Sequence, residues 1–250
     1  MKKLVKVFAL AIMMIICGQS MAQTRGVMFV GASFPMKDFG EFDGFNEFAL
    51  TTYDEDDAGA GLGFNAGIRW YFNIGVKGLG VMLSVDGLYN GPCPDLKSAY
   101  RNLEIELNNS GNTFKYDATP KYVNVPAMLG LNYIFRFNPN LGLYLEAGAG
   151  GNLRFITDMT TTAKSDATKT VVNNHYDKAL TFAWQAGAGF EVAKNLVIGC
   201  SFYDLGKATV SMTETQKVVI GENSPEITTD YKELGTVHPI MVLGRIGFCF

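Results

Sequence analysis

The sequence predicts an all-β protein, an eight-stranded antiparallel up-and-down transmembrane β-barrel. Three observations predict this fold. Apolar and polar residues alternate along eight segments, the connections between these segments are short and long in turn, and the clearly alternating segments carry no charge on their apolar face. After residue 22 no apolar run approaches the 18 residues that a membrane-spanning helix needs.

The first 22 residues have the pattern of a cleaved export signal. Three lysines precede an apolar stretch over 7–17, and Ser20 and Ala22 are the small residues of a cleavage site. Eleven residues rise only about 16 Å in a helix, against a hydrocarbon core of about 30 Å, so a retained membrane anchor is disfavoured. We therefore predict a signal peptide over 1–22 and a barrel domain over 23–250.

Composition excludes other classes of protein. Glycine, at 28 of 250 residues, is raised while proline is not, so neither a collagen repeat nor a disordered linker fits. Without the signal, 18 basic residues stand against 24 acidic ones, a net charge of −6 in place of −3. An acidic chain without a basic run is not expected to bind nucleic acid. The remaining cysteines, Cys93, Cys200 and Cys249, are odd in number and cannot form a full disulfide framework.

Period-two alternation marks each predicted strand. The first segment is apolar on both faces, so the sequence leaves its orientation open. The predicted strands are 25–34, 60–73, 79–90, 121–135, 141–155, 179–192, 196–204 and 237–250.

The connections favour a membrane barrel over a soluble sandwich. They form short turns near 73–78, 136–140 and 193–195, and four long polar loops near 35–59, 91–119, 156–178 and 205–236. Bacterial outer-membrane barrels have short periplasmic turns and long extracellular loops, and they close because hydrocarbon offers no partner to an open sheet edge. The sequence thus predicts the outer membrane of a Gram-negative bacterium.

Aromatic residues on the apolar face gather near both ends of the predicted strands, as in the two interfacial girdles of membrane barrels. The girdle at the turn end comprises Trp70, Phe72, Tyr133, Phe135, Phe190, Phe248 and Phe250, and the girdle at the loop end comprises Tyr89, Phe155, Phe182 and Phe202.

Charged residues lie on the opposite, inward face. An eight-stranded barrel is just wide enough for side chains to fill it, and buried ions need partners, so we predict that some of these residues pair in a lumen network. A closed plug is favoured over a gated or narrow solute path. Inward glycines such as Gly148 and Gly189 fit close packing in that lumen better than a phosphate loop. The predicted network residues are Arg69, Asp86, Glu146, Arg154, Glu191 and Arg245.

Three stretches resemble a known family. Tyr122-Val-Asn-Val-Pro-Ala-Met-Leu-Gly-Leu-Asn-Tyr133 is similar to the Tyr-x-x-(Ile/Val)-Pro-Leu-Leu-x-x-Tyr strand of the small outer-membrane β-barrel proteins of Bacteroidetes, the porin-family or PorT-like barrels. Leu143 to Gly148 and Phe202 to Gly206 resemble the landmarks that follow, and Phe250 resembles the terminal aromatic that barrels present to their insertion machinery. The resemblance implies eight strands, an outer-membrane location and no peptidoglycan-binding domain.

Catalysis is not expected. The two histidines, His175 and His238, lie near no recognisable nucleophile spacing, and the acidic run Asp54 to Asp57 lacks the order of a calcium loop. We predict no catalytic residue, no metal site and no cofactor.

The first two long loops carry apolar residues of their own. Phe39, Phe42, Phe45 and Phe48 recur every third residue and are expected to pack over the barrel mouth. Residues 95–108 keep helical spacing after Pro94, which predicts a short amphipathic helix that caps the rim or meets a partner.

The leading function is therefore structural or surface-interacting, with the loops as the binding surface for an extracellular protein or glycan. The alternatives are a narrow porin-like conduit and, from the resemblance alone, a factor that assists secretion or assembly of surface proteins. The expected partners are outer-membrane lipid, lipopolysaccharide and the insertion machinery.

Overall fold

The computed structural model describes residues 24–41, 58–109, 113–116, 119–165, 168–193, 195–220 and 227–250. These residues form thirteen strands, one α-helix and a single turn of 3-10 helix at Lys37–Phe39. The predicted signal peptide lies outside the described residues. Within the described part of the chain, no helix is both long enough and apolar enough to cross a membrane.

Eight strands close into an antiparallel barrel, as predicted. Each barrel strand pairs with the barrel strands that precede and follow it in sequence. The last strand pairs with the first, from Val27↔Cys249 to Met36↔Ile240, and this closes the barrel. In order around the barrel the strands are β1 (Thr24–Met36), β2 (Ala60–Asn73), β3 (Leu79–Pro92), β5 (Tyr122–Asn138), β6 (Leu141–Ile156), β9 (Ala179–Val192), β10 (Leu196–Asp204) and β13 (Ile240–Cys249).

The pairing settles the orientation of β1, which the sequence left open. Val27 and Phe29 point inward and are buried, whereas Met28 and Val30 point outward and are about three-fifths exposed. Val27 is opposite the inward Arg69 on β2, and Met28 is opposite the outward Phe248 on β13. Both faces of β1 are apolar. The outward residues meet the barrel's apolar exterior, and the inward Val27 and Phe29 pack with Met82 and Tyr144, where Phe29 also offers its ring to Arg69.

Two of the predicted long polar loops, near 156–178 and 205–236, consist largely of strands, which the sequence did not predict. Together with a short strand in the second loop they form a five-stranded antiparallel sheet, here called the extension sheet. Its strands are β4 (Thr113–Tyr116), β7 (Met159–Lys164), β8 (Thr168–Tyr176), β11 (Ala208–Ile220) and β12 (Ile227–Val237). Threonine favours strands as valine does, but it gives no apolar face, so a search for alternating hydrophobicity overlooks these strands.

The extension sheet continues one side of the barrel wall. Its order, β12-β11-β8-β7-β4, matches the barrel order β13-β10-β9-β6-β5, so each strand prolongs one barrel strand across a short break. Backbone hydrogen bonds bridge the breaks, including Asp177 N to Ser211 O at 2.9 Å and Leu205 N to Pro239 O at 3.0 Å. Five of the eight barrel strands are thus extended beyond the rim.

The helix α1 (Pro94–Asn109) confirms the prediction for the second loop. Its apolar side buries Leu96 and Tyr100 against Cys93 and Met159, at the base of the extension sheet. Phe39 is buried and packs edge-on against Tyr122 with ring centroids 5.4 Å apart, so this phenylalanine covers the mouth as expected. The other phenylalanines of the first loop and the run Asp54 to Asp57 lie outside the described residues.

Candidate functional site: the barrel lumen

Side chains fill the lumen in layers. An apolar layer near the mouth contains Leu88, Met128, Met241 and Leu243, all almost fully buried. A second apolar layer, nearer the turns, contains Val27, Phe29, Met82 and Tyr144. Arginines and acids lie between these layers and at the turn end of the lumen. The alternation along each strand points their side chains inward.

Arg69 forms the centre of the ionic cluster. Its guanidinium makes an ion pair with Glu146 across the lumen, and both side chains are fully buried. The same guanidinium donates hydrogen bonds to Gln185 Oε1 and Tyr203 Oη, each at 2.9 Å. Tyr71 donates to the other oxygen of Glu146 at 3.0 Å. Arg69 therefore ties β2 to β6, β9 and β10, and this buried ion has the hydrogen-bonded partners that its desolvation requires.

Asp86 lies between two arginines in the same cluster. Its Oδ2 accepts a hydrogen bond from Tyr203 at 2.6 Å, and its oxygens lie 3.8 Å from Arg69 and 3.6 Å from Arg245. Arg245 donates to Tyr203 Oη at 2.8 Å, and both arginines lie over the ring of Phe29. The structure thus brings together four of the six predicted network residues. Arg69, Asp86 and Arg245 meet at the hydroxyl of Tyr203, and Glu146 joins them through Arg69.

Glu191 belongs to a separate cluster at the turn end. It pairs with Arg25, which is partly exposed, and with Arg136 at 2.9 Å. Arg25 also donates to Cys249 Sγ at 2.8 Å. Sequence reasoning missed both arginines, because the orientation of β1 was open and Arg136 was placed in a turn, whereas β5 continues to Asn138.

Arg154 has no acidic partner among the described residues. It is buried at the mouth, where its guanidinium donates to the backbone oxygens of Val237 at 2.7 Å and Gly206 at 2.9 Å and to Asn124 at 3.3 Å. Gly206 lies in the break between β10 and β11, and Val237 is the last residue of β12, just before the break that leads into β13. Arg154 therefore links the barrel to the extension sheet through hydrogen bonds to backbone oxygens, and it is not part of an ion-pair network among the described residues.

Two inward glycines make room for Tyr144. A β-carbon added at Gly199 would lie 2.1 Å from the hydroxyl oxygen of Tyr144, and one added at Gly189 would lie 2.6 Å from its ring. Gly189 and Gly199 are directly paired on β9 and β10. Close packing is therefore what these positions require.

Ten of the eleven predicted girdle residues lie on barrel strands, and Phe250 directly follows β13. Their side chains point outward near the two ends of the barrel. Phe190, Phe248 and Phe250 at the turn end and Phe182 at the mouth end are more than half exposed. Two outward aromatics missed by the sequence assignment join the mouth-end group: Phe64 stacks on Tyr89 at 4.9 Å, and Trp184 lies 5.3 Å from Phe202. Both lie on the predicted apolar face. Their position along the barrel axis, level with the mouth-end aromatics, follows only from the strand register.

The two histidines lie in separate places. His175, exposed on β8, contacts Asp158 at 2.9 Å, and His238 contacts Asp204 at 2.8 Å near the rim. In the described part of the chain neither imidazole contacts a hydroxyl or thiol that could act as a nucleophile. The described residues also contain no group of three or more His, Cys, Asp or Glu side chains placed to hold a metal ion.

Searches of family models and of curated proteins found no match. Solved outer-membrane barrels align over almost the whole length of this chain with low identity. The attachment invasion locus protein Ail of Yersinia pestis, crystallised with the heparin analogue sucrose octasulfate, is 14% identical, with 91% of this chain and 99% of that chain covered and a TM-score of 0.40. A major outer membrane protein from Thermus thermophilus is 11% identical, with 91% and 99% covered and a TM-score of 0.44. OprG from Pseudomonas aeruginosa is 10% identical, with 92% and 97% covered and a TM-score of 0.42.

Proposed function

We propose that the protein is an integral outer-membrane barrel with a closed lumen, whose extension sheet and first two loops form a binding surface outside the cell. The observation that carries the closed lumen is the fully buried ion pair between Arg69 and Glu146, with Tyr203 and Asp86 beside it. A water-filled path through the centre would leave these side chains exposed. The protein's specific role then lies at the extension sheet, because the lumen offers no passage.

The membrane location is supported by the exterior of the barrel. Outward aliphatic side chains such as Leu131 and Ile246 are about half exposed, and the two aromatic groups lie above and below them. Exposure of this apolar belt to water would be unfavourable, whereas contact with lipid tails would not. Lipid and lipopolysaccharide would therefore surround the barrel, and Phe250, paired through its backbone with Gly26, would be read by the insertion machinery.

Planar-bilayer recording tests the closed lumen. The purified wild-type chain should insert without steady conductance, and Arg69→Ala/Glu146→Ala, which removes the two central side chains, should open a measurable current. Lys77→Gln, in the exposed turn between β2 and β3, is the matched control and should stay silent. Steady conductance of the wild type would overturn the closed lumen and favour the narrow porin-like conduit.

A further inference from the structure

The extension sheet has two chemically different faces. One face packs on the apolar layer at the mouth and on α1, through residues such as Val210 and Met159. Strand pairing and alternation place every lysine of its five strands on the other face. This outer face, here called the lysine face, carries Lys115, Lys164, Lys169, Lys217 and Lys232.

Four of these lysines form a compact patch on neighbouring strands. Lys164 and Lys169 are directly opposite each other on β7 and β8. Lys115 on β4 is opposite Thr162, two residues from Lys164, and Lys217 on β11 is opposite Val171, two residues from Lys169. At about 4.8 Å between strands, the four positions span roughly 14 Å across the sheet.

The arrangement within the chain is electrostatically unfavourable. Like charges directly opposite in a sheet destabilise it. Neither Lys164 nor Lys169 makes an ion pair with any residue in the described part of the chain, and both side chains are exposed. The strand positions directly beside them hold threonine and valine. Among the described strand residues of this face the one acid is Asp230, which lies opposite Thr215 and accepts a hydrogen bond from it at 2.9 Å. An external anion placed between the two lysines would remove the repulsion.

The height of the patch indicates which anion reaches it. Lys164 lies eight residues beyond Ile156, the last residue of β6. At about 3.4 Å per residue this is roughly 27 Å along the strand from the barrel rim, or about 20 Å in height at a strand tilt of about 40°, which places it beyond the lipid headgroups beside the barrel. The flanking threonines supply hydroxyls that can bond to sugars. A chain with repeated anionic groups that stands clear of the membrane fits this position.

We propose that the lysine face binds an extended anionic polysaccharide through its sulfate, phosphate or carboxylate groups, with Lys164 and Lys169 at the centre of the site. This inference rests on the proposed extracellular position of the extension sheet. Lysine ammonium groups suit this task because they bind anions as point charges without a fixed geometry.

Fluorescence anisotropy with labelled dextran sulfate tests the proposal, using the full chain in a non-ionic detergent. The wild type should bind the probe, more weakly as salt rises, and should not bind neutral dextran. Lys164→Gln/Lys169→Gln should weaken binding about tenfold, which corresponds to about 1.4 kcal/mol for the two lost charge contacts. The control Lys77→Gln/Lys97→Gln removes the same charge from the turn end and from α1, and should change affinity less than about twofold.

Three outcomes would overturn the proposal: unchanged binding by the Lys164/Lys169 variant, an equal loss in the control, or displacement of the probe by phosphatidylglycerol vesicles at equal total charge, which would indicate a membrane surface as the partner. A heat-shifted gel band checks that each variant is folded. If the anisotropy experiment fails and the wild type does not conduct in the bilayer recording, only the polysaccharide site is refuted and the closed outer-membrane barrel is retained. A conducting wild type would refute the proposed function independently.

Discussion

The chemistry of single residues in this barrel is dominated by buried arginines with shared partners. Tyr203 accepts hydrogen bonds from Arg69 and Arg245 and donates one to Asp86, so a single hydroxyl joins three charges. Arg154, with similar burial, binds backbone oxygens instead. Buried arginine thus has two roles here: it joins side-chain networks where the opposite strands carry acids and a tyrosine, and it binds backbone oxygens where they do not.

Removing one member of the central ion pair should be costly, and removing both should cost less than the sum. Arg69→Met leaves Glu146 buried without its cation, which is expected to lower the free energy of unfolding by about 3 to 5 kcal/mol. In Arg69→Met/Glu146→Gln that unpaired charge is gone, so stability should partly recover. Urea unfolding in lipid vesicles, followed by tryptophan fluorescence, measures these two variants and the single variant Glu146→Gln. Strict additivity would show that the pair is not coupled.

At the scale of the elements, one chain builds strands of two kinds. Barrel strands such as β5 alternate aliphatic with polar residues because one face meets apolar surroundings and the other meets the packed lumen. Strands of the extension sheet such as β11 are rich in threonine because their outer face meets water. The change occurs across breaks such as the one at 205–207, where the chain leaves the rim.

A matched pair of substitutions distinguishes the two kinds of strand. Leu129→Arg places a cation on the outward face of β5, between the two aromatic groups, and should destabilise the barrel by about 2 to 4 kcal/mol in a bilayer. Leu234→Arg makes the same change on β12, where the side chain is 77% exposed, and should cost less than about 0.5 kcal/mol. Vesicle unfolding curves provide the comparison, and equal costs would contradict a lipid-facing β5.

For the whole molecule, closure depends on the seam between the first and last barrel strands. Ten residue pairs join β1 and β13 there, and Gly31 meets Gly244 so closely that an added β-carbon would lie 1.8 Å from the Gly244 carbonyl oxygen. Hydrocarbon cannot satisfy an open edge, so the seam has to be complete before the barrel is stable in a membrane.

Gly31→Val should therefore prevent closure, whereas Ala32→Val, on the outward side of the same strand, should not. The expected result is loss of the compact, heat-shifted band on unboiled gels for Gly31→Val, with the band retained for Ala32→Val. A normal band for the Gly31 variant would indicate that β1 and β13 separate more easily than the backbone contact implies.

The sequence by itself determined the eight barrel strands, their inward and outward faces apart from β1, and the helix after Pro94. It could do so because an apolar exterior and a packed interior impose a period of two on every barrel strand, and a helix imposes its own spacing. The tertiary structure decided what depends on neighbours that are distant in the chain. These features are the pairing of Arg69 with Glu146 and of Glu191 with Arg25, the height of Phe64 and Trp184, and the facing of Lys164 and Lys169. Register sets each of them, and it brings together residues from different strands, whereas the pattern along one strand states only which side each residue faces.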